Sequence, residues 1–230
     1  MKKIITAAVM IAFSTISAKA IDLGIFSVTG GLAQNTSVWG ASATEKNHDE
    51  SGALRTTVEE HGVFAEGYDS YLLELGIGQF VSLGYEKSSD SIKTPTNVSN
   101  EGKNNESNVS ASFDDFETTY VKLNVPGGMY VKYGHVGVDV NISETGTANK
   151  YASKSTDGTS FGAGYQRLFG DSGFGFRFEA NYIELDGVKT DNGITSATAS
   201  ESNGGQNFVE AKNLEGATAK IALTYTFGRD

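Results

Sequence analysis

From Ala219 to Phe227 every second residue is apolar: Ala219, Ile221, Leu223, Tyr225 and Phe227 are separated by Lys220, Ala222, Thr224 and Thr226. Successive side chains of a strand point to opposite faces, so this spacing specifies a strand with one greasy and one polar side. The same period recurs along the chain. Phe174, Phe176, Phe178, Ala180 and Tyr182 alternate with Gly175, Arg177, Glu179 and Asn181. Val121, Leu123 and Val125 alternate with Tyr120, Lys122 and Asn124, and Tyr71, Leu73 and Leu75 with Leu72, Glu74 and Gly76. Val81, Leu83 and Tyr85 alternate with Ser82, Gly84 and Glu86, and Phe161, Ala163 and Tyr165 with Gly162, Gly164 and Gln166. In one segment the phase breaks: Met129, Val131 and Tyr133 are followed by Val136, Val138 and Val140, which predicts a bulge near Gly134 and His135. With a weakly patterned opening strand near "IFSVTGGLAQNTSVW", the count is eight.

The strands come in pairs. Three short turns, at Gly76 to Gln79, at "PGG" from Pro126 and at "GDSG" from Gly170, join partners through residues suited to tight reversals. Four longer polar connections separate the pairs, at roughly 41–66, 87–115, 143–158 and 186–215. Connections above about 12–15 residues are unusual in a compact soluble domain. Here all the long ones fall at one end of the sheet and all the tight turns at the other.

Residues 1–20 have the plan of a secretory signal peptide: Lys2 and Lys3, the apolar core "IITAAVMIAF", then "AKA" at Ala18–Ala20. That core is shorter than the roughly 20 residues a spanning helix needs, so residues 21–230 are read as one exported domain. An exported chain without cysteine has no disulfides to hold it and depends on a sizeable core or on a membrane. Removing Lys2, Lys3 and Lys19 from the 18 basic residues leaves 15 against 28 acidic, a mature net charge of −13. Nothing in that balance tracks phosphates, which argues against nucleic acid as a partner.

Periodicity by itself admits a soluble sandwich, with the apolar face as its core, or a transmembrane barrel, with that face on lipid. Loop asymmetry favours the barrel. So does the polar face, where glycines are mixed with long charged side chains, and so do the aromatics. Phe26, Phe169, Phe174, Tyr225 and Phe227 gather near the tight turns, and Tyr85 and Tyr182 towards the other ends, as two interfacial girdles require. Hydrocarbon forbids an unpaired sheet edge, so the sheet must close. The fold expected is all-β, an eight-stranded antiparallel up-and-down transmembrane β-barrel.

Signal peptide, eight alternating strands and a closing "KIALTYTF" together resemble the small outer-membrane β-barrels of Gram-negative bacteria, the OmpA/OmpX-like group. The resemblance implies residence in the outer membrane among lipid and lipopolysaccharide, and insertion by the barrel-assembly machinery, which recognises an aromatic-ended last strand. The chain departs from the group by ending "GRD" beyond Phe227, and it lacks the periplasmic peptidoglycan-binding domain of two-domain members. Some barrels of this size modify lipid A, one through a His-Ser-acid arrangement. Here His48 and His61 fall in the first polar connection, and His135 has no serine beside it on its strand, so no catalytic residue is assigned. The acidic stretches "TVEEHG" and "FDDFE" lack the spacing of a calcium loop. No metal or cofactor is expected.

By phase, Glu74, Lys122, Arg177, Glu179 and Lys220 point into the barrel, where charges must pair, so an ion-pair network filling the lumen is expected. Ile221, Leu223, Tyr225 and Phe227 are expected on lipid. The function read from these features is non-enzymatic and structural or surface-interacting, with an extracellular ligand met by the acidic loops. A narrow porin-like channel and, third, a lipid A-modifying enzyme are the alternatives.

Overall fold

A computed structural model describes residues 23–99, 107–145, 151–195, 198–199 and 205–228. The signal peptide and the last two residues of the "GRD" tail lie outside the described residues. The described residues form eleven strands: β1 Phe26–His48, β2 Leu54–Ile77, β3 Val81–Ser88, β4 Ile92–Lys93, β5 Asn97–Ser99, β6 Ser107–Asn124, β7 Met129–Thr145, β8 Lys154–Leu168, β9 Phe174–Leu185, β10 Val188–Asp191 and β11 Asn207–Phe227. Eight of them form an antiparallel ring, β1-β2-β3-β6-β7-β8-β9-β11, closed by the pairing of β11 back onto β1 from Val28↔Phe227 to Asn47↔Asn207. The short β4 and β5 pair with β6, and β10 with β11. No strand of the ring is left with an open edge along its turn-side half, which is the condition for crossing hydrocarbon.

Positive-φ glycines set the tight turns: Gly78 at 61°, Gly127 and Gly128 at 93° and 90°, and Gly170 and Gly173 at 57° and 77°. At the opposite end much of what reads as loop is sheet. β1 and β2 stay paired to Asn47↔Thr56, so the first long connection shrinks to a turn at Asp49–Ala53. Asp49 organises that turn, its carboxylate accepting from the Ser51 amide at 2.9 Å, the Ser51 hydroxyl at 2.6 Å and the Ala53 amide at 2.9 Å. The Ser51 hydroxyl above all, with the backbone amides, holds the Asp49 carboxyl below its ordinary range. Strands of 23, 24 and 21 residues in β1, β2 and β11 far exceed the roughly 9–11 residues that cross a bilayer. They continue outside it as a β-walled extension.

The exterior carries the apolar band. Leu73, Leu83, Leu123, Phe178, Ile221 and Leu223 are each about half exposed. Aromatics bound it, with Phe26, Phe169 and Phe174 exposed near the turns and Tyr71, Tyr133, Phe161 and Tyr182 at the other margin. Phe174 and Tyr182 stand eight residues apart on β9, about 26 Å along a strand rising ~3.3 Å per residue. At the usual tilt that is roughly 20 Å of depth, near the roughly 25 Å apolar band of such barrels.

Two expectations are corrected here. The β6–β7 register runs without interruption through Thr119↔His135 and Thr118↔Val136, so no bulge exists at Gly134 and His135. Val136, Val138 and Val140 instead point inward, at 0%, 4% and 5% exposure. The apolar set changes sides because the surroundings do. Within the bilayer greasy side chains face out to lipid; above it the outside is water, and greasy side chains turn in. Other strands repeat the inversion: on β9 outward Tyr182 is followed by inward Ile183 and Leu185, and on β6 Phe113 and Phe116 are buried while Val121 and Leu123 are exposed. Bulges lie on other strands, at Asp115–Phe116 of β6 and Asn213–Leu214 of β11. Asp115 and Asn213 adopt φ of 51° and 53°, the left-handed region that Asx side chains tolerate, and each is followed by an inward apolar residue.

The second correction concerns the closing strand. Ile221 and Leu223 are open at 59% and 55%, whereas Tyr225 and Phe227 are only 8% and 9% exposed. Both sit on the outward phase but are roofed by neighbours. Tyr225 packs edge-to-face on Phe174 at 4.7 Å and on Phe227 at 4.6 Å. Leu23 crosses over Gly228 beside them.

Candidate functional site

The lumen is the most densely organised part of the molecule. The inward positions on the turn-side half are mostly charged or small, joined by Tyr120, Tyr130 and Leu72. Among the described residues seven charged side chains are buried there: Glu74, Glu86, Lys122, Lys132, Arg177, Glu179 and Lys220. They form two clusters stacked along the barrel axis.

In the cluster nearer the turns, Glu74 from β2 is the hub. Its Oε2 accepts from Lys122 Nζ at 2.6 Å and Arg177 Nη2 at 2.7 Å, and its Oε1 from the Tyr120 hydroxyl at 2.8 Å. Gln166 Oε1 accepts from the same two cations, at 2.9 Å and 3.2 Å. In the second cluster Glu179 Oε1 accepts from Lys132 Nζ at 2.6 Å and Lys220 Nζ at 2.8 Å. Its Oε2 takes the Tyr130 hydroxyl at 2.8 Å. Glu86 Oε2 accepts from Lys220 at 2.5 Å and Lys132 at 3.5 Å, and its Oε1 from the Ser70 hydroxyl at 2.8 Å. Tyrosine rings tie the clusters together, since Lys132 Nζ lies 4.5 Å from the Tyr120 centroid and Arg177 5.2 Å from that of Tyr130.

Glycines make this density possible. A Cβ at Gly84 would collide with the Tyr120 ring, one at Gly164 with the Tyr130 hydroxyl, and one at Gly162 with the Asn181 amide. Eight strands enclose little more than side-chain volume, so each long residue needs a bare backbone opposite.

Above the charges the lumen turns apolar. Trp39, Tyr68, Ile92, Phe113, Phe116 and Val136 belong to one buried cluster. Trp39 stacks on Phe113 at 6.0 Å, meets Phe116 edge-on at 5.9 Å and donates its indole N–H to the Ser37 hydroxyl at 2.9 Å. Gly216, opposite Trp39 across the β1–β11 ladder, leaves the space that the indole fills. Between the two halves, bounded by Ser70, Glu86, Thr118, Lys132 and Asn181, the free volume is about 20 Å³, room for about one water.

The structure thus brings Glu74, Lys122, Arg177, Glu179 and Lys220 into contact and adds two residues that sequence reasoning did not assign, Glu86 and Lys132. Glu86 shares the phase of Ser82 and Gly84, a visible signal. Lys132 was hidden by the supposed break in β7, since its inward phase shows only once Tyr130, Lys132, Gly134 and Val136 are read as a single series.

The histidines are peripheral. His135 is exposed, its Nε2 3.4 Å from Asp157 Oδ1, and His48 contacts the Gln206 carbonyl. His61 Nδ1 lies 2.9 Å from the Ser42 hydroxyl. Among the described residues no carboxylate lies within ion-pair distance of His61, so the third member of a triad is missing there.

No known protein family matches the sequence, and no curated protein does. Solved structures do. The outer membrane protein OprG from Pseudomonas aeruginosa aligns over 89% of this chain and 96% of its own, at 11% identity with a TM-score of 0.55. Ail, the attachment invasion locus protein of Yersinia pestis, aligns over 84% of this chain and 98% of its own at 12% identity. Neisserial surface protein A aligns over 83% and 96% at 9%. Their TM-scores of 0.36 and 0.33 are too low to add to the comparison. The likeness to OprG is one of fold: a small eight-stranded outer-membrane barrel.

Proposed function

We propose that this outer-membrane barrel is a closed, non-enzymatic membrane anchor that presents a β-walled surface outside the cell. The observation that carries the reading is the lumen. A paired charge network fills its lower half and an aromatic and valine core its upper half, with space for about one water between them. A barrel so filled suits display better than solute passage.

The projecting sheet supplies the surface. Above Asp69, β2 pairs on one side only, with β1, among the described residues. The Ser89 amide donates to the Asp69 carbonyl at 2.9 Å, so the odd-numbered residues of β2 direct their backbone groups away from β1. From Thr57 to Gly67 that edge is able to take up an extended strand. Insertion by the barrel-assembly machinery through the aromatic-ended β11, and packing against lipopolysaccharide around the aromatic margin, belong to the same proposal.

The test is to replace Thr44–Glu59 by Asn-Gly, joining the paired residues Ala43 and Glu60 through a two-residue hairpin turn. The trimmed protein should still show heat-modifiable migration and outer-membrane fractionation. Cells carrying it should lose several-fold in cell–cell aggregation and attachment to coated glass. Unchanged attachment, with both proteins present at equal level, would contradict the surface role.

A further inference from the structure

The buried charges of the lumen do not balance. Of the seven, four are basic and three acidic, and the excess is local. The outer cluster sets Lys132 and Lys220 against Glu86 and Glu179 and is neutral. The turn-side cluster sets Lys122 and Arg177 against Glu74 alone. Gln166, the other acceptor these two cations share, is uncharged.

Arg177 shows where the excess sits. Its side chain is 1% exposed, and of its donors only Nη2 is used, by Glu74 and Gln166. Nε and Nη1 are buried without a partner among the described residues. A guanidinium cannot shed its charge by losing a proton, as a buried lysine does. Leaving its donors unmet in a low-dielectric interior carries a desolvation cost of the kind folded proteins avoid. On the turn side of Arg177 the inward positions are Gly175, Thr224 and the hydrogen-bonded pair Thr29 and Thr226. That surface offers hydroxyls and bare backbone; the carboxylate beside it, Glu74, opposite Thr29, is already engaged by Lys122, Arg177 and the Tyr120 hydroxyl.

From this geometry we infer that Arg177 is the centre of an internal anion site, taking one small monovalent anion of the chloride class from the periplasmic end. The anion would meet the free guanidinium N–H groups and make the turn-side cluster neutral. The site is independent of what the outer surface binds. Glu74 would orient Arg177 through Nη2, and the anion would take the donors Glu74 does not reach.

The experiment uses the mature barrel refolded in detergent, with the melting midpoint followed by heat-modifiable migration. Sodium chloride is titrated against sodium gluconate at constant ionic strength. The midpoint should rise saturably with chloride, by about 2–4 °C once chloride exceeds its dissociation constant about fourfold. Gluconate, too large for the lumen, should give no rise. Arg177→Met leaves Lys122 and Glu74 as a one-to-one pair and should abolish the chloride response. Should that variant fail to fold, crystals of the native barrel grown in bromide provide the second reading, with an anomalous peak expected beside the Arg177 guanidinium. Equal midpoints in chloride and gluconate, or bromide crystals with no peak there, would overturn the site and assign those donors to water.

Discussion

Glu74→Ala is expected to destabilise the barrel by about 3–5 kcal/mol, the range for removing one partner of a buried charge pair. Among the described residues Glu74 is the only carboxylate touching Lys122 and Arg177, both essentially inaccessible to solvent. Its loss strands two positive charges side by side and frees the Tyr120 hydroxyl. The check is urea unfolding in lipid vesicles, followed by the shift between compact and extended gel forms. Combining Glu74→Ala with Arg177→Met should cost clearly less than the sum of the two changes, because the second removes the charge that the first exposes. Strict additivity would mean that the contact carries no energy.

Trp39→Ala is expected to cost a similar amount, about 3–5 kcal/mol, for a different reason. The indole is 3% exposed and packs between Phe113 and Phe116 over Gly216. Truncation opens a cavity at the centre of the upper lumen, and rigid strand walls cannot collapse to fill it. The same unfolding measurement applies, with one difference in outcome. Trp39→Ala leaves the charge contacts as they are, so its loss of stability should be insensitive to Arg177→Met. A cost below about 1 kcal/mol would show that the apolar half is loosely packed and does not seal the lumen.

How far the sequence reveals this architecture depends on what each face touches. Between the aromatic margins outside is lipid and inside is side chain, so alternation reports orientation directly. Leu73 and Glu74, or Arg177 and Phe178, can be assigned to their faces by parity alone. Above the outer margin the rule inverts, and Val136, Val138 and Val140 have no local feature that announces it. A phase change along a strand is produced equally by an inserted residue and by a change of solvent, and the sequence of β7 does not distinguish them. A pairing partner settles it, through Thr118↔Val136 in unbroken register. The extension of β1 and β2 was obscured for a related reason. "ASATEKNH" and "LRTTVEEHG" have no greasy face of the usual kind, because much of that sheet is wet on the outside and lightly covered within. Pairing between the two strands, rather than burial, holds it.

The charge network was legible as a set of inward residues but not as a pattern of contacts. Parity places Lys122 and Arg177 inside the barrel. It does not say that both reach one carboxylate while Lys132 and Lys220 share two. That partition follows from strand stagger around the ring, a property of the closed sheet and of no single segment. Tyr225 illustrates the converse, with orientation fixed by parity and exposure reduced by Phe174, which lies far away in sequence.

The central claim is that the lumen is shut by paired charges below and an apolar core above. Single-channel recording of the full mature barrel in a planar bilayer tests it directly. The structure predicts insertion without conductance steps of porin size at moderate voltage, in chloride and gluconate alike. A large, stable conductance in the native protein would contradict it.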